Sequence, residues 1–300
     1  MSDFITLQEA SVVWVKNLEN RVAFFNQQLL EFLYTVRRTK EFDGQKIGRL
    51  RKDANLQRLF FETVMFLEER NLIEETGYKY YVVKNHEISD LEIICSLYPY
   101  GYLSYLTAMQ IYNLTNRFPK SIDFTAPPRA EWKKQQKQHF TENKYDDPHF
   151  SPDDFITPYP SEIIRFKRKK MNVHTRKNLS PFVHRGENLR VIEIGCLFLE
   201  MLRFPNACGG FQHVFEIYEE MGEIFKERIL SATDSYGTSI DKSRVGYKIK
   251  KHLDIQDDRI SKWKTSSVSR GGSRKMLADE PYSDTYDEDW CISLNHVIFE

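Results

Sequence analysis

Residues 55–83, NLQRLFFETVMFLEERNLIEETGYKYYVV, combine a helical pattern with a pattern of paired strands. Apolar residues recur at intervals of three or four, which predicts an amphipathic helix over about 56–70. An extended segment begins at Leu72-Ile73, and Glu75-Thr76-Gly77 forms a turn. Residues 78–83 alternate and are rich in β-forming residues, so a β-hairpin is predicted to follow the helix.

Two further helical segments are predicted on the N-terminal side of this unit. Residues 6–38 contain no Pro or Gly and carry an apolar stripe, which predicts one long helix or two in series. After a turn at 42–44 we predict a short helix over 45–50, ended by the polar residues 51–55. The predicted order of elements is that of a winged helix-turn-helix: helix, short helix, turn, longer helix and hairpin. The stripe favours packing within its own domain, and the alternatives are the seam of a homodimer or a helix that binds a partner.

We therefore predict an α+β chain with two domains. Residues 1–83 form a long N-terminal helix plus a helical winged helix-turn-helix domain, and residues 84–300 form a mixed α/β C-terminal domain. The second domain contains a basic insert near 129–177. The first part of that insert, 129–160, is polar and then rich in Pro and Asp, which indicates a linker or excursion rather than core.

The composition fits a folded protein outside the membrane. Apolar residues make up 41% and charged residues 29%, enough to build a core. No apolar run reaches the roughly 20 residues that a membrane span needs, and the first residues lack a signal-peptide pattern, so we expect a cytoplasmic location. Because the cysteines are far apart and form no CxxC pair, we expect reduced, mostly buried thiols at Cys95, Cys196, Cys208 and Cys291.

Charge is segregated along the chain although the formal net charge is zero. Residues 37–58 carry eight Lys/Arg against three acids, and residues 126–190 carry fourteen against eight. Residues 279–300 carry seven acids and no Lys or Arg. Separated signs suit a protein that meets phosphates on one face, and ordinary surface charge is the alternative.

Basic and polar residues around the start of the longer helix predict a DNA interface. A recognition helix places its N-terminal side chains in the major groove while neighbouring cations hold phosphates. We assign base contact to the helix start and phosphate contact to the preceding turn and to the wing. The DNA-binding candidates are Lys46, Arg49, Arg51, Lys52, Asn55, Gln57, Arg58, Tyr78 and Lys79. The alternative function is a winged-helix protein–protein interaction module without specific DNA binding.

A second basic patch lies in the insert. It comprises Arg165, Lys167, Arg168, Lys169 and Lys170. On a strand these side chains point to both faces, so not all of them can lie over a core. The patch can therefore bind phosphates or an acidic partner, and the alternative is a solvated strand end.

Motifs for catalysis are missing, so we expect neither enzymatic activity nor a cofactor or metal. There is no GxSxG, no HExxH and no phosphate-binding glycine loop. A nuclease was considered because Pro152-Asp153-Asp154 precedes Glu162, as in metal-dependent PD-(D/E)xK enzymes. The second motif reads Glu-Ile-Ile-Arg and lacks the Lys, which argues against that reaction.

Three stretches resemble the AbiEi antitoxin family of bacterial AbiE abortive-infection systems, and together they cover most of residues 90–296. The first contains Tyr100-Gly101-Tyr102-Leu103-Ser104, Ala108, Asn113-Leu114-Thr115 and Ser121-Ile122. The second contains Glu200-Met201-Leu202-Arg203, Pro205, Cys208-Gly209-Gly210 and Arg244-Val245-Gly246-Tyr247. The third contains Ser269 to Arg274, Leu277, Pro281 and Trp290 to Asn295. The helical segment 6–38 and the insert 129–177 depart from the family's pattern.

The resemblance implies a bipartite regulator of a type IV toxin-antitoxin system. It implies an N-terminal winged helix that binds operator double-stranded DNA and represses its own promoter. It also implies a C-terminal domain that counteracts a separately encoded nucleotidyltransferase toxin, with or without a direct complex. Such a protein takes part in phage defence.

Overall fold

The computed structural model describes most of the chain. The described residues are 4–18, 21–77, 80–84, 88–142, 151–160, 165–166, 169–186, 188–269 and 272–300. Within these ranges the fold is mixed α+β, as predicted. No helix in them combines the length and the apolar content needed to cross a bilayer.

Helices and strands follow one another along the chain. The α-helices are α1 (Leu7–Lys16), α2 (Asn26–Thr39), α3 (Leu56–Glu69), α4 (Asp90–Leu97), α5 (Tyr105–Ile111), α6 (Arg129–Glu142), α7 (Ile194–Arg203), α8 (Phe211–Met221), α9 (Lys226–Tyr236), α10 (Ser239–Tyr247) and α11 (Asp258–Ser269). The strands are β1 (Phe4–Ile5), β2 (Ala23–Phe25), β3 (Glu41–Phe42), β4 (Gln45–Ile47), β5 (Ile73–Glu75), β6 (Tyr80–Val83), β7 (Tyr102–Leu103), β8 (Ser121–Ala126), β9 (Arg165–Phe166), β10 (Lys169–Thr175), β11 (Phe182–Arg185), β12 (Leu189–Ile192), β13 (Arg274–Lys275), β14 (Tyr286–Asp287) and β15 (Ile292–Ser293). Short 3-10 helices span Pro152–Phe155, Pro205–Cys208 and Val297–Phe299, and a π-helical turn spans Lys248–His252.

The chain divides into two compact units that are not continuous in sequence. Unit 1 comprises Met1–Gly101, Ala126–Lys177 and His184–Leu189, and unit 2 comprises Tyr102–Thr125, Asn178–Val183 and Arg190–Glu300. The described part of the basic insert, 129–177, therefore belongs to the same unit as the N-terminal residues. The predicted domains, 1–83 and 84–300, were contiguous, and their boundary remains a prediction.

In unit 1, three helices pack on a small antiparallel sheet. Strand order is β2-β6-β5, with Phe24 opposite Tyr81 and Glu74 opposite Val82. The apolar stripes of α2 and α3 meet in one buried cluster, in which Leu33 and Leu67 are fully buried. The predicted longer helix and hairpin are confirmed in α3, β5 and β6, and residues 6–38 form two helices separated by the unpredicted strand β2.

The short helix predicted over 45–50 is wrong. Asp43 and Gly44 both have positive φ, 49° and 73°, and they join β3 to β4 as a tight two-residue hairpin turn. An Asp-Gly pair with both residues in the left-handed region is the preferred connection of such a hairpin. Strand β4 also pairs in parallel with β1, which commits residues 45–47 to a sheet.

The linker predicted over 129–160 is also wrong in its described parts. Residues 129–142 form α6, and Ser151 caps the 3-10 turn at 152–155 by accepting a hydrogen bond from the backbone of Asp153. Phe155 is 1% exposed, and its ring lies 5.3 Å from that of Tyr34 in α2. The insert therefore contributes to the core of unit 1.

Unit 2 is built around the buried helix α7, whose residues 194–202 are all buried. Helix α9 crosses it closely because Gly195 faces the Arg228 carbonyl oxygen, 2.1 Å from where a Cβ would lie. In the same unit, β12 pairs in parallel with β7, and β7 pairs antiparallel with β8. Strands β13 and β14 flank β15. The four cysteines are free and mostly buried, as predicted.

Candidate nucleic-acid interface

The basic segment, residues 46–58, runs from β4 through a loop into the first turn of α3. Its predicted site residues are all exposed to solvent: Lys46, Arg49, Arg51, Lys52, Asn55, Gln57 and Arg58. Within the described part of the chain, the four cations other than Arg58 take part in no ion pair or hydrogen bond: Lys46, Arg49, Arg51 and Lys52. Their charges are therefore available to an anionic partner.

Two cations at the end of α2 hold this loop in place. Arg37 Nη1 donates a 3.0 Å hydrogen bond to the carbonyl of Ala54, and Lys40 Nζ donates to the carbonyl of Leu50. Burial and the neighbouring charge of Lys52 lower the pKa of Lys40. In the sequence both cations are part of a positively charged segment, whereas in the structure they position the loop.

Arg49 adopts a left-handed backbone conformation, with φ 60°. For a residue with a Cβ this region costs about 1–2 kcal/mol relative to the right-handed form. Such strain occurs mostly where surrounding structure demands it, often at functional sites. Here it follows Gly48, whose N–H bonds the carbonyl of Ile5 at the end of β1. The turn therefore reverses the chain next to the β1–β4 pair and leaves the Arg49 side chain exposed.

The first turn of α3 contains residues with structural roles of their own. Asn55 caps the helix, because its Oδ1 accepts a 2.9 Å hydrogen bond from the Arg58 backbone. The Arg58 Nε donates a 2.7 Å hydrogen bond to Glu62 Oε1, which raises the pKa of Arg58. Exposed pairs of this kind contribute little to stability, but this pair leaves Arg58 partly neutralised, unlike the four unpaired cations. Gln57 is exposed and is the better placed candidate for base contact.

Beyond its first turn, the exposed face of α3 is apolar and acidic. Phe61 and Met65, one turn apart, are 65% and 60% exposed. Glu62, Glu68 and Glu69 are exposed around them. An acidic helix face repels phosphates, so the N-terminal end of α3 is the part of this helix that best suits contact with a nucleic acid.

The second basic patch is described only in part. Lys169 and Lys170 are exposed on β10, and they pair with Phe166 and Arg165 of β9. Lys167 and Arg168 lie outside the described residues, and so do the wing candidates Tyr78 and Lys79. For Arg165, the structure describes the backbone only.

The acidic C-terminal segment neutralises lysines within unit 2. Lys251 Nζ lies 3.3 Å from carboxylate oxygens of both Asp287 and Asp289. Lys264 Nζ lies 2.9 Å from Asp289. Part of the negative charge at 279–300 is therefore already paired with cations of the same unit.

The family-like motif at 208–210 forms a tight turn beside a cavity of about 540 Å³ in unit 2. Gly209 and Gly210 have φ of 92° and 101°, a backbone conformation that glycine adopts without strain. Arg117 Nη1 donates a 2.6 Å hydrogen bond to the Gly209 carbonyl, and His213 Nε2 lies 3.0 Å from Thr115 Oγ1. Burial and the charge of Arg117 lower the pKa of His213. These contacts give the motif a structural role.

Comparison with known proteins leaves the family open. No family model and no curated protein matches the chain. Among solved structures, the crystal structure of RV2827C protein from Mycobacterium tuberculosis is similar at 9% sequence identity, with a TM-score of 0.47. The match covers 89% of this chain and 91% of that chain. A likeness at this identity and TM-score assigns neither fold nor function.

Proposed function

We propose that this protein is a DNA-binding transcriptional repressor that acts as the antitoxin of a toxin-antitoxin system. The observation that carries the DNA-binding part is the set of four exposed, unpaired cations next to the N-terminal end of α3. Lys46, Arg49, Arg51 and Lys52 meet phosphates on either side of the groove, while the start of α3 meets base edges. The antitoxin part rests on the AbiEi-like motifs of residues 90–296.

The element order of unit 1 supports a winged helix. After α1, strand β2 leads into α2, and α3 leads into the hairpin β5–β6. Strand β6 lies between β2 and β5, so the hairpin closes on the strand that precedes α2. In the proposed winged helix, α2 and α3 are the two helices of the helix-turn-helix unit, with the β3–β4 hairpin in the connection between them. Helix α3 is then the recognition helix, and the hairpin β5–β6 is the wing.

Charge reversal tests DNA binding directly. The double substitution Arg49→Glu and Arg51→Glu changes two exposed side chains without an ion pair, so the fold is retained. We expect this variant to lose binding to a duplex from the region upstream of its own coding sequence, measured by gel shift. The matched control is Lys120→Glu with Lys262→Glu, two exposed lysines of unit 2. Equal binding by wild type and the Arg49/Arg51 variant contradicts the proposal.

Antitoxicity is tested separately from repression. Expressed from an independent promoter, the same Arg49/Arg51 variant should still rescue cells from the nucleotidyltransferase toxin encoded beside it. Rescue with lost repression assigns the two functions to different parts of the chain. Failure of the folded wild-type protein to rescue contradicts the antitoxin function.

A winged helix that binds a protein is the second candidate, and the exposed Phe61 and Met65 favour it. Two large apolar side chains one turn apart, with glutamates around them, resemble the anchor pattern of a helix that meets a protein groove. In that case the Arg49/Arg51 reversal leaves the biological activity intact, whereas Phe61→Ser with Met65→Ser abolishes it.

A further inference from the structure

Helix α6, which the basic insert contributes to unit 1, presents hydrogen-bond donors along one face. Arg129, Trp132, Lys133 and Gln136 occupy positions i, i+3, i+4 and i+7, so they lie on the same side of the helix. Arg129 and Lys133 are exposed, whereas Trp132 and Gln136 are 1% and 6% exposed. We call these four residues the donor face.

Two buried members of the donor face have N–H groups that no described residue accepts. Gln136 Oε1 accepts hydrogen bonds from Thr157, 2.8 Å from its backbone nitrogen and 3.0 Å from its hydroxyl oxygen. The backbone N–H can only donate, so the opposite end of the amide, Nε2, is the donor, and it is unpaired. Trp132 Nε1 is unpaired as well. Buried donors normally have an acceptor. Trp132 lines the cavity described next and Gln136 does not, so it is the indole N–H that points to an acceptor bound there.

A cavity of about 330 Å³ lies at this face, entirely within unit 1. Its walls include Gln27 of α2, three members of the donor face and residues 156–159. Asp153 is the only acid among the described residues that line it. The Asp153 carboxylate is bonded to Lys137, at 2.9 Å and 3.0 Å, so the exposed Lys133 gives the cavity a positive charge that Asp153 does not cancel.

Aromatic rings fix the position of the indole in this wall. The Trp132 ring meets the rings of Tyr100, Tyr159 and Tyr98 edge-on, with centroids 5.2, 5.7 and 6.0 Å apart. The Arg129 guanidinium lies 5.1 Å from the centroid of Tyr159. Donors held in this way are pre-organised, so little freedom is lost when a ligand binds.

We propose that the donor face and its cavity bind the phosphate group of a ligand. A phosphate ester offers acceptor oxygens and negative charge to the indole, ammonium and guanidinium donors, and its hydroxyl groups can donate to Gln27 Oε1, a buried acceptor without a partner. The volume is near the lower end of the roughly 300–1,000 Å³ of ligand sites, which suits a small phosphate ester. A free mononucleotide and a nucleic-acid backbone share this chemistry. The inference does not depend on the proposed repressor function.

The indole N–H resonance of Trp132 reports on the site directly. The chain has four tryptophans, and comparison with Trp132→Phe assigns the relevant peak in a ¹⁵N-correlated spectrum of the full chain. Titration with inorganic phosphate, AMP or a short DNA duplex, with sodium chloride matching ionic strength, should move that peak saturably. Trp263 is an internal control, because its Nε1 already donates a 2.8 Å hydrogen bond to Asp234.

The outcomes separate the sources of phosphate. A shift with phosphate or AMP identifies a free phosphate ester, and a shift with the duplex alone identifies a nucleic-acid backbone. Lys133→Gln should weaken the interaction about tenfold through loss of one charge-assisted hydrogen bond. Lys134→Gln, one residue further and off the donor face, should leave it unchanged. A Trp132 peak that none of the three ligands moves overturns the proposal.

Discussion

Replacing Phe155 by Ala should destabilise unit 1, because this side chain of the insert is part of the N-terminal core. Phe155 is 1% exposed and packs against Tyr34 of α2. Truncating a fully buried Phe to Ala costs about 3–5 kcal/mol. For a domain of roughly 150–250 residues each kcal/mol lowers Tm by about 2–4 °C, so a fall of about 6–20 °C is expected.

Hydrogen–deuterium exchange locates the effect of this substitution. Peptides covering α2 and α3 should lose protection, whereas peptides covering α8 in unit 2 should keep theirs. The matched control is Phe118→Ala, which removes a side chain that is 84% exposed in unit 2 and should change stability by less than about 0.5 kcal/mol. If Phe155→Ala behaves like Phe118→Ala, the segment 151–160 is only an excursion and the packing argument is refuted.

Two further substitutions test unit 2. Gly246→Ala should destabilise the protein by about 1–3 kcal/mol, because a Cβ there would lie 2.3 Å from the Trp290 ring; chemical unfolding measures this, and a neutral effect contradicts the close packing. Burial acts to raise the pKa of Asp241, but hydrogen bonds from Arg203 and Thr238 outweigh burial and lower it. Its stabilising effect is therefore present above the unfolded pKa of about 3.9 and lost as pH falls through the folded value. Asp241→Asn should lower stability at neutral pH by about 1–3 kcal/mol and flatten the acid limb of the stability curve; a parallel curve argues against this role.

The strongly periodic parts of unit 1 could be predicted from sequence. The spacing of Leu56, Val64 and Leu67 is that of α3, and the β-rich residues after Gly77 form β6. Both predictions rest on local patterns that the tertiary structure also uses, so local and global preferences agree. Likewise, the paired glycines at 209–210 provide the positive φ that their turn requires.

Elements whose signal is short or depends on distant partners could not be predicted. Strand β2 has three residues inside an apolar stripe, and its assignment depends on pairing with β6, far along the chain. Helix α6 buries Trp132 and Gln136 within a polar, weakly amphipathic sequence, so it resembles a linker. The Asp43-Gly44 turn did carry a local signal, since Asp-Gly favours a two-residue hairpin over a helix start.

The candidate site was predicted more completely than the interactions that surround it. Exposure of the cations in the basic segment follows from their residue types. The helix geometry of α3 makes Asn55 a helix cap and pairs Arg58 with Glu62. The sequence does carry a signal for the cap, since Asn is a preferred residue just before a helix. The donor face of α6 follows a spacing of i, i+3, i+4 and i+7 that the sequence shows. Which end of the Gln136 amide is the donor depends on the hydrogen bond from Thr157, which only the structure shows.

The salt dependence of DNA binding by the full chain tests the central claim most directly. Four exposed, unpaired cations lie in the basic segment. Each phosphate contact contributes a slope of about −0.9 to log K against log salt, so a slope of about −3.6 is expected, and affinity should fall roughly 150-fold between 50 and 200 mM salt. Arg51→Gln should reduce the slope to about −2.7. A wild-type slope near zero, or a slope that Arg51→Gln leaves unchanged, contradicts phosphate binding by this segment.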